Sequence, residues 1–204
     1  PNATSYGETE AGGDYYYSYG DGLFIVLNTN NYNVAEHEKA IQEAIASDPD
    51  ATWRVVTIHQ DIYGSGPDHS DTDGMILRTQ LTPIFDEYDI DVVLQGHDHT
   101  YSRSKLLYGD GQTHGTYEFR LNADGSDYDW DHAYNVNTNE SIALAPETEE
   151  QQAALDAFQS DNICYTIEDT TGNTVVNPEG TLYMSANSAS GSKYYELIAN
   201  QQDY

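Results

Sequence analysis

Five consecutive apolar residues, Leu23-Phe24-Ile25-Val26-Leu27, stand out from a polar amino-terminal region. An unbroken apolar run of that length is the pattern of a strand buried on both faces. The spacing then becomes helical, with Val34, Ile41 and Ile45 on one face. Asn33 is placed to N-cap this helix and Glu36 to complete a capping box, while Asp48-Pro49-Asp50 ends it. The alternation repeats. Trp53-Arg54-Val55-Val56-Thr57-Ile58 predicts a second strand that closes on His59, and Gly64, Gly66 and Pro67 mark the loop after it. Leu77, Leu81, Ile84, Phe85 and Tyr88 recur at helical spacing, with Pro83 predicting a kink or restart. A third strand, Asp91-Val92-Val93-Leu94-Gln95, runs into Gly96-His97-Asp98-His99.

Strand, helix, strand, helix, strand with apolar strands predicts an α/β fold built on a parallel sheet. From about residue 107 to 180 the texture changes to glycine, aspartate, asparagine and tyrosine, with one helix expected from Thr148 to Ser160. That stretch reads as an irregular acidic insertion within a single domain covering residues 1–204. Thr181-Leu182-Tyr183-Met184 is expected to return to a sheet. The lone Cys164 excludes a disulfide within the chain and any cysteine-rich zinc site. The 18 tyrosines add a lean toward strand.

Charge narrows the partners. Thirty-five acidic residues against seven basic ones give a net charge of −28, which argues against a nucleic-acid partner and against docking to an anionic membrane. No apolar run is long enough to span a bilayer. The chain opens on Pro1 rather than Met, so it is expected to be a processed product or a piece of something longer. An extracellular or cell-surface setting in a bacterium, where salt screens self-repulsion, is the expected location.

The chemistry lies at the predicted strand ends. Ligands of parallel α/β sheets bind beyond the carboxyl ends of the strands, where His59, His97 and His99 fall. In an extended segment, residues two apart point the same way, so His97 and His99 are expected to present both imidazoles to one side. Gly96 is expected to provide the sharp turn before them. Neutral imidazole is a preferred ligand of zinc, iron and manganese, and paired rings suit two ions about 3.5–4 Å apart. His-x-His alone fits two solvated loop histidines equally well; His59 at the same edge shifts the balance toward metal.

Val56-x-x-His59 followed by Gly96-His97-x-His99 resembles two motifs of the calcineurin-like metallophosphoesterases. The run from Gly96 to Ser104, and Tyr17-Ser18-Tyr19-Gly20 before the first apolar strand, resemble more narrowly the purple acid phosphatase branch. The resemblance implies the carboxyl-terminal half of a four-layer α/β/β/α sandwich and metal-dependent hydrolysis of a phosphate ester. It implies that His59 and His97 ligate one metal ion and His99 the other, with His69 contacting the phosphate or protonating the leaving oxygen. The complete site would hold two divalent or trivalent ions, iron with zinc or manganese. Its substrate would be a phosphate-ester small molecule or a phosphoprotein. Cations of total charge about +4 to +5 would make the pocket attractive to phosphate despite the acidic shell.

Three upstream motifs of the family are missing, including its Asn-His element. Gly13-Asp14-Tyr15-Tyr16-Tyr17 imitates one of them, but no Asn-His follows, and its tyrosines read better as an aromatic strand. The amino-terminal half of the same protein is therefore an expected partner, and this chain alone is expected to bind metal weakly. The competing reading is a non-catalytic extracellular binding module that keeps the fold, or an inactive fragment. His37 is expected to pack at a helix boundary, His114 and His132 to be solvated, and Asp124, Asp127, Asp129 and Asp131 to form a solvated acidic loop. Arg103 is left outside the site.

Overall fold

The computed structural model describes residues 6–9, 12–66, 72–109, 117–161, 165–170 and 174–186, with Gly172, Gly191 and Leu197. His69, His114 and Cys164 lie outside the described residues. The first strands are β1 (Tyr6–Thr9), β2 (Gly12–Tyr19) and β3 (Gly22–Val26), followed by helix α1 (Val34–Ser47) and β4 (Trp53–Thr57). Helix α2 (Thr72–Glu87), β5 (Val92–Gln95) and β6 (Tyr101–Gly109) complete the first part. Next come β7 (Tyr117–Glu118), β8 (His132–Asn135), β9 (Ser141–Ala143), α3 (Glu149–Asp161), β10 (Tyr165–Ile167) and β11 (Thr181–Ala186).

Eight strands form one mixed sheet in the order β1-β2-β3-β4-β5-β11-β6-β10. Its centre, β3-β4-β5-β11, is parallel, as the strand–helix alternation predicts; β2 joins β3, and β6 joins β11, in antiparallel pairing. The 181–186 segment returns to the sheet beside β5. The fold is α/β.

Burial differs from expectation on one point. Ile25, Val56, Val93 and Tyr183 stand in register across the four parallel strands, and all are buried. The other face carries Val26, Thr57, Leu94 and Met184 in register, none of them buried, and Leu94 is 36% exposed. Tyr15, Tyr17, Tyr19 and Trp53 extend that open face, with Tyr17 stacked on Phe24 at 5.2 Å. The reason is handedness: β3, β4 and β5 follow one another across the sheet, and right-handed crossovers put α1 and α2 on the same side. Contact between the two helices fits this placement. One helical layer covers one sheet layer. The other two layers of the expected sandwich have no counterpart among the described residues.

The helices hold other corrections. Asn33 does N-cap α1, but its side chain makes no capping bond; Glu36 instead accepts from Asn31 Nδ2 at 2.6 Å. α2 runs unbroken through Pro83, so the helix does not restart there; Leu81, Ile84 and Phe85 are buried beside it while Pro83 faces solvent. His37 is not a boundary residue but lies inside the core at 1% exposure.

Within 107–180, β7-β8-β9 make a small antiparallel sheet with α3 against it. Its apolar cluster of Ala133, Leu155 and Phe158 takes in Met75 from α2. Tyr128 and Trp130 pack edge-on against Tyr32, which follows β3, with centroids 5.6 and 5.4 Å away, and against each other at 5.7 Å. The insertion thus rests on the sheet edge where β3 ends and α2 begins.

Candidate metal centre

The β4–β5 ladder ends at the pair Thr57–Leu94. Past it, Ile58 N–H donates to Leu94 O and Gly96 N–H donates to His59 O, at 2.9 and 3.0 Å. These two bonds carry the chains side by side to the point where His59 and His97 emerge. His97 Nδ1 lies 3.2 Å from His59 Nε2, with the rings nearly perpendicular at 88° and their centroids 5.1 Å apart.

The turn before the pair is not the one expected. Residues 97–100 are not extended, so the two-residue periodicity does not orient His97 and His99. The positive φ of 65° belongs to His97 itself, and Asp98 N–H donates to Gly96 O at 2.8 Å. This is a γ-type turn in its rarer, strained form, which costs a non-glycine residue about 1–2 kcal/mol. Such an outlier is found where packing over-determines the backbone, often at functional positions. Buried Asp98 packs against Gly66, where any side chain would run into its carboxylate, so the turn and the loop after β4 are pressed together.

Two imidazole nitrogens that share one ion at about 2.0–2.1 Å, with an angle of 90–109°, stand about 2.9–3.4 Å apart. The 3.2 Å between His59 and His97 fits that bite. Protonation state agrees. Burial first, then the neighbouring charges of His97 and His99, hold the His59 imidazole below the usual histidine range, with Asp73 opposing them. A neutral ring is the form that ligates. Among the described residues, no group of three or more His, Cys, Asp or Glu is placed to hold a metal ion. What the described residues bring together is two converging rings, with His99 close enough to influence the first.

Several residues of the site escaped sequence reasoning. Asp73, at the start of α2, is felt by both His59 and Tyr32, whose phenol is held well above its usual range by burial and then by Asp73 and Asp127. Only its acidic character in a first helical turn could have marked it. Thr29 and Gln60, both buried, hydrogen-bond to each other, and His59 N–H donates to Thr29 Oγ1 at 3.3 Å. Asp14, which imitates a family motif, is engaged elsewhere: its oxygens lie 2.6 Å from His37 Nδ1 and 2.7 Å from the Asn28 N–H. His132 keeps a side chain 39% exposed, as expected of a solvated histidine, and also sits 3.1 Å from Asp129, which accepts from Tyr134. Those bonds hold the Asp129 carboxyl below its usual range although burial pushes it up.

No protein-family model matches the chain. Two uncharacterised proteins of Mycobacterium tuberculosis, Rv2577 of strain H37Rv and MT2654 of strain CDC 1551, are each 33% identical to it over 81 residues. The match covers 38% of this chain and 15% of each relative, so the chain spans only a small part of their length. Among solved structures, a purple acid phosphatase, PPD1, from yellow lupin (Lupinus luteus) seeds aligns at TM-score 0.39 and 21% identity, over 47% of this chain and 18% of that one. GAP50, the anchor in the inner membrane complex of Plasmodium, aligns at TM-score 0.32 and 16% identity, over 71% and 58%. Neither superposition is close enough to define the fold, which rests on the sheet order given above.

Proposed function

We propose that this chain supplies the carboxyl-terminal ligands of a dinuclear, metal-dependent phosphoester hydrolase of the purple acid phosphatase type. The observation that carries the reading is the convergence of His59 and His97 at the carboxyl ends of adjacent parallel strands, at a separation that suits one shared ion. His99 would ligate the second ion, and His69 would contact phosphate or protonate the leaving oxygen. When bound, the ions supply charge for phosphate oxygens and an acidified water at neutral pH. The chain's own contribution is a His59 ring held below the usual histidine range and a strained turn that fixes where His97 stands. The partner is the amino-terminal half of the same protein, whose remaining ligands complete the site and whose apolar surface covers the open face of Tyr17, Phe24 and Leu94. A secreted or cell-surface setting suits the net charge of −28.

The test is hydrolysis of an aryl phosphate by the protein carrying its upstream motifs, with zinc and manganese supplied. The His97→Ala variant should lose more than about 100-fold in rate, beyond what loss of a residue that merely supports a ligand costs. Undiminished activity in that variant would sink the proposal. A second reading, a binding module that keeps the fold without catalysis, is favoured by the lack of any three-residue metal cluster among the described residues. It predicts no metal uptake even with the upstream half present.

A further inference from the structure

We infer that Asp61 is a positioning residue for the histidine pair, holding the carboxyl ends of three strands at the spacing that brings His59 and His97 together; this rests on the metal-ligand reading above. Asp61 follows His59 by two residues, and its carboxylate is 1% exposed. Oδ1 accepts from Gln95 Nε2, and Oδ2 accepts from Ser185 Oγ at 2.8 Å. Gln95 ends β5 two residues before His97, and Ser185 lies beside it in register near the end of β11. The Gln95 amide also donates to Tyr63 O and accepts from Ile62 N–H at 3.1 Å, so one side chain is clamped to the whole loop that follows His59. At Gly64 any Cβ would overlap the Asp61 carboxylate, which fixes that loop at glycine.

The placement is informative. Gln95 and Ser185 fall on the helix-covered side of the sheet, continuing the alternation of buried Val93 and Tyr183. A buried carboxylate there costs free energy that apolar packing would not, so stability alone does not account for it. The β4–β5 ladder has already ended at Thr57–Leu94, and beyond it the Asp61–Gln95 link joins the Ile58–Leu94 and Gly96–His59 backbone bonds in tying the two ligand-bearing segments. Residues that orient a metal's ligands commonly change its affinity by about 10–100-fold when lost.

The experiment pairs two measurements on the full chain: zinc affinity by titration calorimetry, and the ring-to-ring nuclear Overhauser contact between His59 and His97 without metal. Asp61→Asn should weaken that contact and lower zinc affinity by about 10–100-fold. Ser185→Ala, a milder change that leaves the Gln95 bond, should act in the same direction to a smaller extent. Asp91→Asn is the comparison. It removes a carboxylate bonded to Arg54 N–H at the opposite end of the same strands, and should lower melting temperature while leaving both readouts unchanged. Wild-type ring contact in a folded Asp61→Asn protein, or in Ser185→Ala should Asp61→Asn not fold, overturns the inference. If the unaltered chain takes up no zinc yet Asp61→Asn still separates the rings, the positioning role stands, and the metal reading passes to the test with the upstream half present.

Discussion

His37 shows how much one side chain can decide. Its Nδ1 faces Asp14 Oδ2 at 2.6 Å and its Nε2 faces the Asn31 carbonyl at 2.7 Å, so both ring nitrogens are called on to donate. Burial alone would push its pKa down; the bond to and charge of Asp14, then the Asn31 carbonyl and Glu36, outweigh it and raise it. A histidine raised in the folded state contributes stability that is full below its unfolded pKa of about 6.5 and is lost as pH rises through the folded value. Denaturant midpoints should therefore fall as pH rises above neutrality, and His37→Ala should remove that slope. The same variant should cost about 3–5 kcal/mol at neutral pH, because it leaves Asp14 buried without its partner. At His97 the backbone offers a second test. Glycine occupies φ of 65° without penalty, so His97→Gly should be more stable than His97→Ala by about 1 kcal/mol. Equal melting temperatures would argue against strain at that turn. Little of this was readable beforehand. The sequence marks His59, His97 and His99 by their place after apolar runs, but backbone torsion at His97 and the company of His37 depend on residues far along the chain.

At the scale of elements, α2 is the instructive case. Pro83 cannot donate to the carbonyl four residues back and its ring crowds the preceding turn, which is why a break is expected from sequence. Leu81 and Phe85 are fully buried, so packing on both sides of the proline holds the helix continuous. Pro83→Ala should then stabilise the protein by on the order of 1–3 kcal/mol, read from urea unfolding. No gain would mean that the proline is accommodated without cost. The strands were legible for the opposite reason. Apolar runs bounded by turn residues encode themselves locally, whereas the face each run buries depends on which side the crossovers fall.

Across the whole molecule, charge dominates. A net −28 over 204 residues repels itself in the compact state. Raising ionic strength from about 0.01 M to 0.15 M shortens the screening length from about 30 to 8 Å. Melting temperature should climb over that range, and a flat or falling response would show that local pairing already neutralises the repulsion. No helix among the described residues is long and apolar enough to cross a membrane. The sequence by itself determined the α/β class, the alternation from β3 through α1, β4 and α2 to β5, and the placing of three histidines after strands, because hydrophobic period and turn chemistry act over a few residues. Tertiary structure alone decided that β11 inserts between β5 and β6 and that Asp61 reaches Gln95 and Ser185. It alone also set the His59 and His97 ring nitrogens 3.2 Å apart while leaving one sheet face open. Each of those outcomes is a pairing between distant segments, settled by how whole elements pack and not by any residue's neighbours in sequence.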